Sequence, residues 1–194
     1  ELTASFRAKG CPIMWSSWSR FFDDGICNAM DRWYGPRGLC IEEPENACYI
    51  FTGEAGLQTL KEILPTPEEV AAGWFYHSKH LDMFWTFGPD GKSYLDEKLK
   101  GEGVDTVVIC GLWTDECIVS TAFAASSRGY DVVVPSDAVA TATANHDIAL
   151  TLLNGTCGKV LPTQDVVSYM ATDFVLGERG AVKGVAYPDG RKDD

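Results

Sequence analysis

The sequence predicts an α/β fold: a three-layer α/β/α sandwich built on a mainly parallel sheet. Short apolar runs rich in β-branched residues alternate with longer stretches of helical periodicity, and glycines or N-capping residues separate them. Strands that alternate with helices in this way form parallel β-α-β units. The 194 residues suffice for one well-buried domain and are short for two, so we expect a single domain over residues 1–194.

Periodicity and stop signals define the individual elements. Residues 1–9 are typical of a helix end, with Gly10 as its stop, and Cys11–Trp15 is predicted to be a short buried strand. The later elements are expected in this order: strand 73–79, helix 93–101, strand 104–110, helix 117–128, strand 130–134, helix 145–154 and strand 159–161. Residues 16–66 are rich in Gly, Pro, Asp, Asn and aromatics and predict a long ordered loop excursion, with one helical stretch near 57–64.

Composition excludes several classes of function. The net charge of -12, from 28 acidic and 16 basic residues, disfavours a nucleic-acid groove or an anionic membrane surface, so a small-molecule substrate is expected. No apolar run has the length of a membrane span. The seven cysteines are odd in number and include no CxxC pair, which disfavours a disulfide scaffold or a zinc ribbon and favours a cytoplasmic location.

Cys117 follows a strand and a tight turn and begins a predicted helix. Free N–H groups and the positive end of the helix dipole gather at such a turn, so they would stabilise a thiolate there and raise its reactivity. The backbone of Trp113 and of Cys117 is expected to supply donors for an oxyanion. The alternative is that Cys117 is a small apolar core residue.

Lys79 ends the strand predicted at 73–79. In open parallel sheets, ligands bind beyond the carboxyl ends of the strands, so we expect Trp15–Arg20, Lys79 and Trp113–Cys117 to meet in space. A cation within about 4–6 Å of the thiol would favour the thiolate; a solvated or snorkelling lysine is the alternative. His77 and His80 point to opposite faces of an extended segment, so no metal is expected, and the absence of GxGxxG and GxxxxGK[ST] leaves no expected cofactor.

Aromatic residues near the predicted strand ends are candidates for the walls of an apolar pocket. Arg20 could recognise a carboxylate as a bidentate partner, or be an ordinary surface arginine. The expected substrate contacts are Trp15, Trp18, Arg20, Phe84, Trp85 and Trp113.

Taken together, these motifs resemble the isochorismatase-like cysteine hydrolases, in the metal-independent amidohydrolase branch. The resemblance covers most of residues 1–170 and rests on Gly111–Ile118 (GLWTDECI), Lys79–Phe84 (KHLDMF), Leu95–Leu99 (LDEKL), Ala8–Ile13 (AKGCPI), Gly129–Val132, Asp137, Ala138, His146 and Gly158–Val160. It implies a Rossmann-type topology and a triad of Asp, Lys and Cys, with Lys79 and Cys117 as two of its members. It also implies a cis peptide bond at Leu112–Trp113 beside an oxyanion hole, and a homo-oligomer, either a dimer or a tetramer.

The sequence departs from the family pattern at two places. The family's aspartate closes a first strand upstream of the helix in which this sequence begins, so that strand and part of the first helix are expected to lie before residue 1. The segment Trp15–Arg20 (WSSWSR) lacks the Asp and His metal cluster of nicotinamidase-type members, which disfavours metal-dependent nicotinamide hydrolysis.

The resemblance implies hydrolysis of a carbon–nitrogen bond in a small amide, ureide or carbamoyl compound through a thioester at Cys117. One alternative is a catalytically silent relative that binds a small molecule or a protein, which the missing aspartate allows. Another is a vinyl-ether hydrolase of the isochorismate type, although such members lack the cysteine.

Overall fold

A computed structural model describes residues 1–18, 24–29 and 63–171. Its helices are α1 (Leu2–Ala8), α2 (Pro67–Ala71), α3 (Tyr94–Gly101), a π-helical turn (Thr114–Ile118), α4 (Val119–Ser127), α5 (His146–Thr156) and α6 (Thr163–Ala171). Its strands are β1 (Trp15–Trp18), β2 (Phe75–Ser78), β3 (Thr106–Val108), β4 (Gly111–Leu112), β5 (Asp131–Pro135), β6 (Val139–Ala140) and β7 (Lys159–Leu161).

Every pairing between these strands is parallel. Strand β1 pairs with β2, β3 with β5 and β5 with β7, and β4 pairs with β6. Helix α4 packs on β5 and helix α5 on β7, the two helices contact each other, and α1 packs on α6. The result is the α/β sandwich with a mainly parallel sheet that the sequence predicts.

Small and branched residues form the core between sheet and helices. Ala122 and Ala125 of α4 are fully buried, and so is Val134 of β5. A side chain without bulk lets the helix approach the sheet closely, and the branched strand residues fill the space between them. Gly158 allows a similar approach, because a Cβ there would lie 2.6 Å from the carbonyl oxygen of Val132.

Strand β1 lies later in the chain than predicted. The sequence predicts a strand over Cys11–Trp15, but the observed strand begins at Trp15 and ends at Trp18. Pro12 has no N–H to donate to a ladder, which explains why pairing starts only beyond it. The N–H of Trp15 makes the first bond, donating to the carbonyl oxygen of Trp74 at 2.9 Å.

The secondary structure around Cys117 is also divided into more elements than predicted. Strand β3 ends at Val108, and Gly111–Leu112 forms a second short strand beside Val139–Ala140. The helix predicted to begin at residue 117 is instead preceded by a π-helical turn that contains the cysteine. Much of the excursion predicted over residues 16–66, including most of the helical stretch near 57–64, lies outside the described residues.

None of the helices in the described part of the chain has both the length and the apolar character that crossing a membrane requires.

Candidate active site

Lys79 lies where β2 ends, beside the end of β1. The parallel register places Trp18 opposite Ser78, so the carboxyl ends of the two strands are adjacent. Strand alternation leaves His77 exposed, whereas the side chain of Lys79 is only 6% exposed. The lysine is therefore a buried residue and not the solvated or snorkelling one of the alternative interpretation.

Asp24 binds this lysine and its neighbour. One carboxylate oxygen, Oδ1, lies 3.3 Å from Nζ of Lys79, and Oδ2 lies 2.5 Å from Nε2 of His80. The backbone N–H of Ile26 also donates to Oδ1, at 3.0 Å. Burial raises the pKa of Asp24, but the donors from Ile26, His80 and Lys79 outweigh that effect and hold the pKa below its usual range.

The segment that carries Asp24 is attached to the lysine a second time. The side-chain amide of Asn28 donates to the backbone carbonyl oxygen of Lys79 at 3.1 Å. Residues 24–29 are thus bound over the end of β2 by both side-chain and backbone contacts of Lys79. Sequence reasoning missed Asp24, because it contacts residues more than fifty positions later and no local motif marks it.

Thr121 connects the lysine side of the site to the helix behind Cys117. Its hydroxyl accepts the backbone N–H of Met83 at 3.2 Å and donates to the carbonyl oxygen of Leu81 at 3.3 Å. Thr121 is buried and lies four residues after Cys117, one turn along the same helical segment. The chain that follows Lys79 is therefore held against α4, the helix that directly follows the turn containing the cysteine.

Cys117 sits in the last part of the π-helical turn Thr114–Ile118. The carbonyl oxygen of Trp113 accepts N–H bonds from both Glu116 and Ile118, each at 3.2 Å. A π-helical turn of this kind is rare and is found frequently at functional sites. The cis peptide bond expected at Leu112–Trp113 is present, which confirms that prediction.

The surroundings of the Cys117 thiol act on it in opposite directions. Burial raises the pKa of the thiol to about 11, and the carboxylate of Glu116 adds to the rise. Hydrogen bonds from the backbone N–H groups of Trp113 and of Cys117 itself lower the pKa but do not offset the burial. The two backbone N–H groups therefore favour the thiolate, but the low thiol pKa expected from a helix N-terminus is wrong for this structure.

Polar side chains fix the π-helical turn to the loop before α5. Thr114 is fully buried, and its hydroxyl lies 3.0 Å from Nδ1 of His146. Oδ2 of Asp115 accepts hydrogen bonds from the hydroxyl of Thr143 at 2.5 Å and from the side-chain amide of Asn145 at 3.0 Å. The bond from Thr143 is the main cause that lowers the pKa of Asp115 to about 2, so the carboxylate stays ionised.

Three of the expected aromatic contacts lie near these groups. Trp18 ends β1, and Trp113 immediately precedes the π-helical turn. Trp85 is 47% exposed, and its ring lies edge-on to His80 with centroids 6.5 Å apart. The exposed ring of Trp85 therefore lies beside His80, the residue that follows Lys79.

The other expected contacts lie elsewhere. Trp15 begins β1 rather than ending it, so it lies at the opposite end of the strand, where Nε1 donates to the carbonyl oxygen of Ile63 and the ring faces Arg7. Phe84 is 1% exposed and packs against Tyr130, so the structure places it in the core. Arg20 lies outside the described residues.

Within residues 1–18, 24–29 and 63–171, no three His, Cys, Asp or Glu side chains converge in a way that could hold a metal ion. The five cysteines of this part of the chain, Cys11, Cys27, Cys110, Cys117 and Cys157, are free thiols.

Comparison with protein families matches residues 1–165 to the isochorismatase domain. Among solved structures, a cysteine hydrolase from Pseudomonas syringae pv. phaseolicola is similar over 87% of this chain and 76% of its own, with 19% identity and a TM-score of 0.68. The N-carbamoylsarcosine amidase of Thermoplasma acidophilum is 26% identical, with 83% of this chain and 78% of that chain covered and a TM-score of 0.57. A nicotinamidase from Bacillus subtilis is 19% identical over 82% of this chain and 80% of its own, with a TM-score of 0.57.

Proposed function

The chain belongs to the isochorismatase family of hydrolases, and from that membership we propose that it hydrolyses a carbon–nitrogen bond through a thioester at Cys117. The substrate class is a small amide, ureide or carbamoyl compound. The observation that carries this proposal is the placement of Cys117 in a π-helical turn, where the backbone N–H groups of Trp113 and Cys117 act on its sulfur. An amidase among the similar structures supports the same class of bond.

The proposed reaction has two stages. The sulfur of Cys117 attacks the carbonyl carbon, and the carbonyl oxygen becomes an oxyanion that accepts the N–H groups of Trp113 and Cys117. Collapse of this intermediate breaks the carbon–nitrogen bond, and the nitrogen leaves with a proton. Water then attacks the thioester, which releases the acid and returns the thiol.

The proton on the thiol is the main obstacle in this mechanism. With its pKa raised to about 11, the thiol is almost entirely protonated at pH 7. Attack must therefore be coupled to removal of the proton, and we propose that the aspartate implied by the family resemblance accepts it. Lys79 supplies positive charge from the ends of β1 and β2.

The substrate would enter beside the exposed aromatic surface. Trp85 next to His80, together with Trp18 and Trp113, offers apolar contact to a small molecule. Arg20, in the segment that follows Trp18, remains a predicted partner for a substrate carboxylate. The predicted homo-oligomer and cytoplasmic location also remain predictions from the sequence.

A thioester-trapping experiment tests the proposal directly. The protein is mixed with a panel of small amides, ureides and carbamoyl compounds, quenched in acid and analysed by intact mass and peptide mapping. We expect one compound to add an acyl group at Cys117 and to be turned over. The matched control is Cys157→Ser, which changes another partly buried thiol and should keep full activity.

The second candidate is a catalytically silent relative that binds a small molecule or a protein. The raised pKa of Cys117 favours it, because an un-ionised thiol is a poor nucleophile. If a compound from the panel protects the protein against thermal unfolding but leaves neither acyl adduct nor product, this candidate replaces the hydrolase. The vinyl-ether hydrolase has no such support, because Cys117 is present.

A further inference from the structure

Asp24 is not one of the residues that the motifs assign, yet it contacts two of the most buried polar groups near the site. Lys79 and His80 are 6% and 7% exposed, and the side chain of Asp24 is 14% exposed. We propose that Asp24 is a positioning residue, which holds Lys79 as a fixed cation while His80 occupies the second carboxylate oxygen. This inference rests on the proposed function, because it concerns the lysine of the same site.

The hydrogen bonds of the carboxylate define the role. Oδ1 accepts the N–H of Ile26 and faces the ammonium of Lys79, and Oδ2 binds the ring of His80. Both oxygens are thus occupied by donors from three different groups. A carboxylate held in this way stays ionised at neutral pH, and because both of its oxygens already face donors it acts as a counter-charge to Lys79.

The neighbouring charges support a cationic Lys79. Among the described residues, Asp82 follows the cluster in the chain, and the charges of His80 and Arg128 both act on its carboxyl group. Burial raises the pKa of Asp82. Asp24 forms an ion pair with Lys79, and an opposite charge at 3.3 Å favours the protonated amine.

Asp24 also fixes the position of Lys79, in addition to supplying the opposite charge. The lysine is fixed from two directions, because Asp24 holds its ammonium and Asn28 in the same segment holds its backbone carbonyl. Loss of the Asp24 carboxylate would remove this ion pair from the ammonium while Asn28 still holds the backbone carbonyl. A displacement of about 1 Å in a catalytic group can cost about 10²-fold in rate.

The test compares Asp24→Asn with wild type and with Asp165→Asn, which removes the same charge from an exposed position at the start of α6. Competitive acetylation of Lys79 at a series of pH values, read by peptide mass spectrometry, gives the lysine pKa without any turnover. We expect Asp24→Asn to lower the pKa of Lys79 by about one unit or more. For a compound that the wild type turns over, we expect kcat to fall by about 10²-fold with a smaller change in KM.

Two further variants separate positioning from a structural role. Asp24→Glu restores the carboxylate and should recover part of the lysine pKa and of kcat. His80→Gln should have a smaller effect than Asp24→Asn, and little additional effect when the two are combined, because His80 acts through Asp24. Thermal unfolding of each variant identifies any that fails to fold. If Asp24→Asn does not fold, Asp24→Glu is compared with wild type instead, by the same lysine pKa and kcat.

An acetylation profile of Lys79 that is the same in Asp24→Asn and wild type overturns the inference. An unchanged kcat in Asp24→Asn overturns it equally. Failure of the proposed function gives a different result: no compound then acylates wild-type Cys117. The acetylation profile of Lys79 would still differ between wild type and Asp24→Asn.

Discussion

The two sides of the site are built from different kinds of groups. On the Lys79 side, charged side chains contact one another, and both oxygens of Asp24 are occupied by donors. On the Cys117 side, burial and the Glu116 carboxylate raise the pKa of the thiol. The backbone N–H groups of Trp113 and Cys117 lower it. The carboxylate of Asp24 is therefore held ionised on one side, while burial favours the protonated thiol of Cys117 on the other.

This difference shows where the activating step must act. The backbone N–H groups of Trp113 and Cys117 favour negative charge on the sulfur, but burial outweighs them. On the other side, the ammonium of Lys79 provides positive charge at the carboxyl ends of β1 and β2. In the proposed mechanism, positive charge from Lys79 promotes ionisation of the thiol, so we expect turnover to depend on both sides and on the contact between them.

The largest effect is expected from replacing the nucleophile. Cys117→Ser puts a weakly nucleophilic hydroxyl in place of the thiol, so turnover should fall by about 10³-fold or more. The rate of product release and the acyl mass adduct measure this loss for a compound that the wild type hydrolyses. Turnover within tenfold of wild type would mean that Cys117 does not form the covalent intermediate.

The next effect concerns the charge that the lysine side supplies. Lys79→Ala removes the cation predicted to lie within about 4–6 Å of the thiol, so the pKa of Cys117 should rise further and kcat should fall by about 10²-fold or more. The pH dependence of Cys117 alkylation by iodoacetamide measures the thiol pKa. Lys159→Ala, at an exposed position of β7, is the control and should leave the profile unchanged. An unchanged pH profile of alkylation in Lys79→Ala would mean that Lys79 does not influence the ionisation of the Cys117 thiol.

The connection between the two sides can be broken at Thr121. Thr121→Val keeps the shape of the side chain but leaves the backbone N–H of Met83 without its hydroxyl acceptor, which should cost about 1–3 kcal/mol of unfolding free energy. Turnover should fall as well, because the segment after Lys79 is no longer held against α4. Urea unfolding and kcat measure the two effects. Thr151→Val on the exposed face of α5 is the matched control.

Local signals in the sequence predicted the regular parts of this arrangement well. Strand β7 has the predicted bounds Lys159–Leu161, and α3 begins one residue after the predicted start, with Ser93 as its N-cap. A missed element also had a local signal. Thr66 and Glu69 form a capping box with Pro67 at the first helical position, which marks the start of α2.

Other features depend on contacts that no local pattern records. Pairing in parallel strands is set by distant partners, so β1 is shifted along the chain and β4 pairs separately from β3. Asp24 reaches Lys79 only because the folded chain brings residues 24–29 over the end of β2. The thiol pKa depends on burial by the whole fold, which is why placement near a helix start predicted its direction wrongly.

The smallest effect should be a pH dependence of stability from the cysteine side. The hydrogen bonds from Thr143 and Asn145 lower the pKa of Asp115 to about 2. A carboxyl whose pKa is depressed in the folded state stabilises that state above its ordinary pKa of about 4, and loses this contribution as the pH falls toward about 2. Because Asp115 is partly exposed, we expect on the order of 1 kcal/mol. The difference in urea unfolding free energy between wild type and Asp115→Asn should be constant above about pH 5 and shrink below pH 4. A difference that stays constant down to pH 2.5 would mean that these hydrogen bonds do not depend on the charge of Asp115.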